Sequence, residues 1–351
     1  MNSTPNLALV ALSISEARDY QKVDKIARSF EHIPEIVLFE VVPNTRFNRT
    51  KIIFGGPPAA LFEAARATCL RAAELIDLRK HDGDHHRIGA IDMISFLPLQ
   101  KIDLPGVVDL ARKFAGDISK ELNLPIYLTG FAALKESRNN IAFLNSIGLS
   151  DLEKFMNSPE GRPDIGPLSL NPGLGACIIG TRCHYITFAM YFETDEVEYI
   201  EELARIYTTS ASYETGGELK KTGWRLRRKS EKLKQLEGVR TFVNYFRGDK
   251  NVSLLCKINN YCQTPIHLVY DFFRREAENL GIMVVGSKII GFIPAEALIL
   301  SGKHYFRGKD TASETDEHFI NLAIQRMRCN AIEAFDYSRQ IINRHFVAVA
   351  E

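Results

Sequence analysis

The chain has 351 residues, which is long enough for two packed units. Apolar residues make up 45% and charged residues 25%, ordinary proportions for a globular protein, so a mainly disordered chain is excluded. With 44 Lys and Arg against 43 Asp and Glu, the overall charge indicates no nucleic acid or other polyanion as a partner.

The 6 cysteines form no C-x-x-C pair, a pattern that is typical of reduced thiols in a reducing compartment. The first residues contain one short apolar run with no basic residue before it, unlike a secretory signal. No apolar stretch approaches the roughly 20 residues that a transmembrane helix needs. We therefore expect a cytoplasmic protein that does not contact a membrane.

Strand and helix patterns alternate through the first half of the chain. In chain order they predict a strand at 7–13, a helix at 16–30, a central strand at 35–42, a long helix that begins at Pro57 and Pro58, a strand at 88–99, a helix at 107–122 and a strand at 124–128. Prolines and glycines then crowd residues 157–175, which predicts a long loop.

The second half predicts a helix at 196–208, strands at 239–245 and 252–259, a helix at 265–280, a strand at 282–285 and two helices within 317–346. The two adjacent strands resemble a hairpin and favour mixed sheets over a doubly wound parallel sheet. The predicted fold class is α/β (α+β), with two subdomains of mixed β-sheets and outer helices at residues 1–180 and 181–351. The chain has no Rossmann or P-loop motif, so no nucleotide is indicated.

Residues 81–92 form the densest polar cluster, with three histidines and three aspartates between a helix and a strand. A histidine can take and give a proton near neutral pH, and glycines allow backbone to approach a ligand closely. This crowding favours a functional loop over a polar surface turn. A metal site with His81, His85 and Asp92 as ligands is the alternative.

Three further segments are candidates for binding. Glycines and prolines in residues 164–176 impose irregular backbone that either exposes N–H groups to a ligand or forms a stiff connector between domains. Arg49 has a planar donor fork that suits a substrate carboxylate, although a surface arginine is the commoner outcome. Segment 220–234, which contains Trp224, holds eight basic residues and either binds a polyanion or forms a solvated surface.

Residues 81–92 resemble the H-x-G-E-H-P-R-x-G-A-x-D signature of the glutamate formiminotransferases, a family that also forms the amino-terminal part of formiminotransferase-cyclodeaminase. Further similar motifs follow in the same order along the chain: N-R-T at 48–50, G-P-P at 56–58, P-I-Y-L-T-G at 125–130, a D-x-G-P to G-x-R pattern at 164–182, and T-P-I-H, V-V-G-S and G-F-I-P within 264–294. The resemblance covers nearly the whole chain, but not a cyclodeaminase, so we expect no cyclodeaminase activity.

The resemblance implies two α/β subdomains with a ligand groove between them. It implies transfer of a formimino group from N-formimino-L-glutamate to N5 of tetrahydrofolate, in histidine degradation. Tetrahydrofolate is then a co-substrate, the substrates are small molecules, no metal is implied, and we expect a homodimer. By matching position, His85 is the catalytic histidine. The reaction needs one proton removed and another delivered, and a histidine can serve both steps.

The resemblance also implies the positions that bind substrate. The loop that matches the family's folate-contacting loop consists of Gly166, Pro167, Leu168, Ser169, Leu170, Asn171, Pro172, Gly173, Leu174 and Gly175. The candidates for binding substrate carboxylates are Arg49, Arg87 and Arg182. Segment 220–234 looks like an insertion relative to the family and is a candidate site for the glutamate tail of cellular folates.

The chain departs from the family pattern at several positions. The family's opening motif keeps only Ser15 and Glu16, and His86 stands where the family has a proline. Val42 replaces an acid, although Glu40 keeps a carboxylate on the same face of a strand. Two alternatives to the formimino transfer therefore remain: a glutamate formyltransferase, and a folate-binding protein of the same fold with lost or altered activity. The histidine cluster leaves a metal-dependent hydrolase as a third.

Overall fold

The computed structural model describes residues 5–84, 87–139, 147–207, 236–245, 251–308 and 311–346. These residues divide into two units, the first extending to Cys183 and including Phe346, the second running from His184 to His345. Each unit has its own sheet and its own hydrophobic core. The predicted fold class, with two α/β units, is confirmed.

A six-stranded mixed sheet forms the centre of the first unit. Its strands are β1 (Leu7–Ile14), β2 (Val37–Asn44), β3 (Arg49–Gly56), β4 (Ile91–Gln100), β5 (Ile126–Gly130) and β6 (Cys177–Thr181). The order across the sheet is β2-β3-β1-β4-β6-β5. The first four of these strands pair in antiparallel fashion, whereas β6 is parallel to both β4 and β5. The expected mixed sheet is confirmed in this unit.

Helices cover the sheet of the first unit. They are α1 (Tyr20–Ala27), α2 (Pro58–Leu75), α3 (Leu104–Leu122) and α4 (Leu149–Met156), with 3₁₀ turns at Leu78–Lys80 and Glu136–Arg138. The main core lies between one face of the sheet and α1, α2 and α3, and it contains the fully buried Phe54, Phe96 and Phe114. A smaller core lies on the other face, where Tyr127 packs with residues of α4 such as Leu152.

Strand β2 lies at an edge of the sheet, so the prediction of a central strand at 35–42 is wrong. The side chains of Leu38, Val41 and Val42 are exposed there. A nearly continuous apolar run is typical of a strand that is buried on both faces. The run does not specify which strand lies outermost, because that depends on pairing between distant segments.

Helix α1 is shorter than the predicted helix at 16–30. The Asp19 side chain accepts hydrogen bonds from the N–H groups of Gln21 and Lys22, which makes Asp19 the amino-terminal cap. The preceding residues form a turn in which Glu16 Oε1 accepts hydrogen bonds from the next three backbone N–H groups. The helix therefore begins after this turn, and the turn stays beside the end of β1.

The second unit contains a four-stranded sheet. Its strands are β7 (Ile186–Glu193), β8 (Val239–Asn244), β9 (Asn251–Ile258) and β10 (Val284–Ile290), in the order β10-β7-β9-β8, and all pairs are antiparallel. The predicted pairing of 239–245 with 252–259 is confirmed. Because every pair is antiparallel, the expectation of a mixed sheet holds for the first unit alone.

The helices of the second unit are α5 (Val197–Tyr207), α6 (Ile266–Glu278), α7 (Ala295–Tyr305), α8 (Asp316–Arg326) and the single turn α9 (Tyr337–Gln340), followed by a 3₁₀ segment at Ile342–Phe346. The core contains the fully buried Phe188, Phe192 and Phe273. Helix α7 was not predicted from the sequence. No helix in the described ranges is long and apolar enough to cross a membrane.

Candidate active site

The histidine segment (residues 78–92, described except for 85 and 86) and the loop at 166–175, with Ala176 that follows it, lie side by side in the first unit. Backbone hydrogen bonds join them, from Leu78 N to Gly173 O at 2.9 Å, from Ala90 N to Leu174 O at 2.9 Å and from Ala176 N to Ile88 O at 2.8 Å. The first segment leads into β4 and the second into β6, and these two strands are parallel neighbours. Residues that precede neighbouring parallel strands lie at the same edge of a sheet, so the fold itself brings the two segments together.

Two glycines allow this contact. A Cβ atom on Gly89 would lie 1.8 Å from the carbonyl oxygen of Ala176, and one on Gly175 would lie 2.2 Å from that of Ile88. Gly175 also has a φ of +71°, a left-handed conformation that side chains rarely adopt. The approach of the two backbones therefore requires glycine at both positions.

The N-R-T motif at 48–50 forms hydrogen bonds with the histidine segment and with the turn after β1. The Asn48 Oδ1 atom accepts a hydrogen bond from Ala17 N at 2.8 Å, and its Nδ2 atom donates to Asp82 O at 2.8 Å. Thr50 Oγ1 donates to Glu16 O at 2.5 Å. These side chains fix the turn after β1 and the start of the histidine segment relative to β3.

Asp92 connects Arg49 to the backbone of the histidine segment. Its Oδ1 atom accepts a hydrogen bond from Ile88 N at 3.0 Å, and its Oδ2 atom lies 3.3 Å from Arg49 Nη2. The Asp92 side chain is only 5% exposed, so the arginine compensates a buried charge. Arg49 thus binds a carboxylate of the protein, and its predicted contact with a substrate carboxylate stays a prediction.

Arg87 is directed into its own loop. Its guanidinium donates to the carbonyl oxygens of Gly83 at 3.2 Å and His81 at 3.4 Å. Burial lowers the pKa of Arg87. Burial and, to a lesser degree, the positive charge of Arg87 lower the pKa of His81 below its usual value. Both effects favour the uncharged form of the His81 imidazole.

A pocket of about 540 Å³ lies where these segments meet. It is open and mainly polar, and its lining includes Glu16, Asn48, His81, Asn171 and Gly173 together with the end of α2 and the turn that follows it. Asn171 Oδ1 accepts hydrogen bonds from the N–H groups of Gly173 and Leu174, at 3.0 and 3.2 Å, which stiffens the loop.

Asp77 also lines this pocket. A hydrogen bond from the Arg79 side chain lowers the pKa of the Asp77 carboxyl to about 2. Two contacts of 2.8 Å join the guanidinium to this carboxylate. The pocket therefore presents an ionised carboxylate at neutral pH, next to the backbone of Gly173.

A buried ion pair fixes the beginning of the loop at 166–175. Arg138 and Asp164 form this pair, and both side chains are almost completely buried. Asp164 Oδ2 also accepts a hydrogen bond from Leu128 N at 2.7 Å, while Arg138 donates to the carbonyl oxygens of Glu160 and Arg162. This network attaches the loop to β5. Sequence reasoning did not identify Arg138, because one arginine in a polar stretch forms no pattern.

Comparison with known proteins gives the family. Residues 7–182 match the family described as the formiminotransferase domain, N-terminal subdomain, and residues 206–347 match the formiminotransferase domain. The chain belongs to the formiminotransferase family. The resemblance seen in the sequence is thereby confirmed.

Relatives of two lengths are found. The glutamate formimidoyltransferase of Thermoplasma acidophilum is 30% identical over 84% of this chain and 90% of its own length. That of Streptococcus pyogenes serotype M1 is 23% identical over 95% of this chain and 97% of its own length. The formimidoyltransferase-cyclodeaminase of Rattus norvegicus is 29% identical over 94% of this chain, which spans only 58% of the length of that relative.

The structure brings together some of the positions that the formiminotransferase resemblance implies. Asn171, Gly173 and Leu174 of the expected folate loop line the pocket with His81, whereas in the described residues the rest of that loop is not part of the lining. His85, His86 and segment 220–234 lie outside the described residues. Their expected roles stay predictions.

Arg182 lies apart from this pocket. It follows β6 directly, whereas Ala176, which contacts the histidine segment, precedes that strand. At roughly 3.3 Å per residue the two are about 20 Å apart along the strand. Arg182 N donates to Phe96 O at 3.3 Å, just beyond the carboxyl end of β6. Its contact with a substrate carboxylate stays a prediction.

We predict that Gly175→Ala lowers the free energy of unfolding by about 1–3 kcal/mol, because it strains a left-handed residue and separates the two segments. Urea denaturation followed by circular dichroism measures this change. Gly173→Ala is the matched control, since a Cβ atom there has no neighbour closer than 3.6 Å. Equal stability of the two variants would contradict the close approach of the two backbones.

Proposed function

We propose that this chain is a glutamate formimidoyltransferase that moves the formimino group of N-formimino-L-glutamate to N5 of tetrahydrofolate. The observation that carries the proposal is the pocket in which the histidine segment and the expected folate loop are joined by backbone hydrogen bonds. Two formiminotransferase relatives that this chain covers over 90% and 97% of their length bear the name glutamate formimidoyltransferase, which supports the same activity here.

The proposed chemistry needs one group that both takes and gives a proton. N5 of tetrahydrofolate attacks the amidine carbon of the donor, and a tetrahedral intermediate forms. This nitrogen then loses its proton, the bond from carbon to the glutamate nitrogen breaks, and the departing nitrogen gains a proton. We assign both transfers to His85 because it occupies the position of the family's catalytic histidine and an imidazole exchanges protons near neutral pH.

The pocket supports a place for the pterin ring of the folate. A pterin presents an amino group and a ring N–H on one edge, and these donors suit the ionised Asp77 carboxylate. Gly173 lies beside that carboxylate, since an added Cβ atom would be in van der Waals contact with Asp77 Oδ1 at 3.6 Å. We therefore propose that the ring lies against Gly173, with Asn171 holding the loop in shape.

Tetrahydrofolate is a co-substrate in this proposal, and the donor is a glutamate derivative. The cytoplasmic location and the homodimer expected from the sequence stay predictions. So does the binding of a folate glutamate tail by the basic segment 220–234.

One observation keeps a formyl donor as the second candidate. Val42 replaces the family's acid, and its side chain is exposed on the edge strand β2. The nearby Glu40, which retains a carboxylate, lies 3.2 Å from Lys51 Nζ and is engaged in that ion pair. A changed charge near the donor would alter the preference between an amidine, which is cationic when protonated, and a neutral formamide.

The donor is tested by measuring turnover with tetrahydrofolate and either formiminoglutamate or formylglutamate. We expect a higher kcat/KM with formiminoglutamate. A higher value with formylglutamate would identify a formyltransferase. Binding of tetrahydrofolate without turnover of either donor would identify a folate-binding protein that has lost the reaction.

His85→Ala is expected to reduce kcat by about 10²- to 10⁴-fold, the usual contribution of a general acid and base. Calorimetry should find the affinity for tetrahydrofolate largely unchanged. His86→Pro is the matched control and should retain activity, because it restores the residue that the family has at this position. Retention of more than half of the turnover by His85→Ala would remove His85 from the mechanism.

Gly173→Val is expected to weaken tetrahydrofolate binding more than donor binding, because the added side chain occupies the proposed place of the ring. Calorimetric titration of the variant with each ligand measures the difference. Gly173→Ala adds less bulk and should have a smaller effect. If the Val variant binds tetrahydrofolate as tightly as the parent chain, the ring does not lie against this residue.

A further inference from the structure

Asn48 lies in the turn between β2 and β3, in a conformation that few residues adopt. Its φ is +48°, in the left-handed region, where asparagine is tolerated better than most residues. The residue is only 6% exposed. A buried polar side chain must be hydrogen-bonded, so its contacts are part of the fold rather than incidental surface contacts.

The carboxamide of Asn48 joins two separate segments. It accepts a hydrogen bond from Ala17 N, in the turn after β1, and donates one to Asp82 O, in the histidine segment, and both bonds are 2.8 Å long. A backbone N–H can only donate and a backbone carbonyl can only accept, so the bridging side chain needs one acceptor and one donor. A carboxamide supplies both, whereas a carboxylate lacks the donor.

The histidine segment also packs directly on this turn. A Cβ atom on Gly83 would lie 2.6 Å from Phe47 O and 2.9 Å from the Cβ atom of Asn48. Arg87 in turn donates to the Gly83 carbonyl. The hydrogen bond at Asp82 is therefore supported by the close packing of Gly83 on the turn and by the hydrogen bond from Arg87 to Gly83 O.

We infer that Asn48 is a positioning residue, which fixes Asp82 and Gly83, the residues shortly before His85 in the chain. This inference rests on the proposed function for its effect on turnover, because His85 follows Asp82 by three residues in the chain. A displacement of about 1 Å in a reacting group can reduce a rate by about a hundredfold. The carboxamide acts through backbone atoms and does not itself exchange a proton in the reaction.

The test compares Asn48→Gly with Asn48→Asp and the parent chain. Glycine retains the left-handed backbone but removes both hydrogen bonds, whereas aspartate retains the size and the acceptor but removes the donor to Asp82. We expect kcat to fall by about 10- to 100-fold in both variants, as for a misplaced reacting group, with the KM of each substrate within about twofold of the parent. Hydrogen exchange of residues 78–84 should become faster.

Asn123→Gly is the matched control. Asn123 ends α3 with a φ of +49°, the same left-handed conformation, but its side chain is exposed, and its backbone N–H makes the cap hydrogen bond to Ser119 O. Its substitution should leave kcat, KM and the exchange of residues 78–84 unchanged.

The outcomes separate the inference from the proposed function. A rise in KM with unchanged kcat would assign Asn48 to substrate binding and overturn the positioning role. Unchanged kcat together with faster hydrogen exchange would also overturn the positioning role. If the parent chain transfers a group from neither donor, the proposed function fails. The hydrogen-exchange measurement alone then tests whether Asn48 bridges the two segments. Faster exchange in both Asn48 variants but not in Asn123→Gly would then support this bridge, and unchanged exchange would overturn it.

Discussion

The candidate active site depends on one contact, the close approach of the backbones at Gly89 and Gly175. This contact joins two loops that are far apart in the chain, and it exists because β4 and β6 are parallel neighbours whose amino ends meet. Ligands of open α/β sheets usually bind at the carboxyl ends of strands. Here the candidate pocket lies instead at the amino ends of β4 and β6.

Each of the two segments that meet at the pocket is held in place by buried polar side chains. Asn48 bridges the histidine segment to the turn after β1, and the Arg138–Asp164 ion pair attaches the expected folate loop to β5. Both sets of side chains bind mainly backbone groups. Removal of one partner of a buried ion pair is costly, because it leaves an uncompensated charge. These polar groups therefore support the two segments that the glycine contact brings together.

The charged side chains of the site mainly form ion pairs and hydrogen bonds with other groups of the protein. Arg49 compensates Asp92, Arg79 lowers the pKa of Asp77, and Arg87 binds carbonyl oxygens of its own loop while its charge helps to keep His81 neutral. These contacts are made within the protein and need no bound substrate. Preorganised groups cost no reorganisation during the reaction, which suits a transfer that passes through a charged intermediate.

The sequence by itself determined most of the local elements, the family and the two segments that meet at the candidate pocket. Hydrophobic periodicity and the prolines before α2 specify helices and strands within short windows, and the spacing of the 81–92 cluster is a local pattern. Only the tertiary structure decided that β2 is an edge strand, that Arg49 contacts Asp92, that Arg182 lies at the far end of β6 and that Asn48 is a bridge. These facts depend on pairing between segments that are distant in the chain, and no local pattern of residues encodes a distant partner.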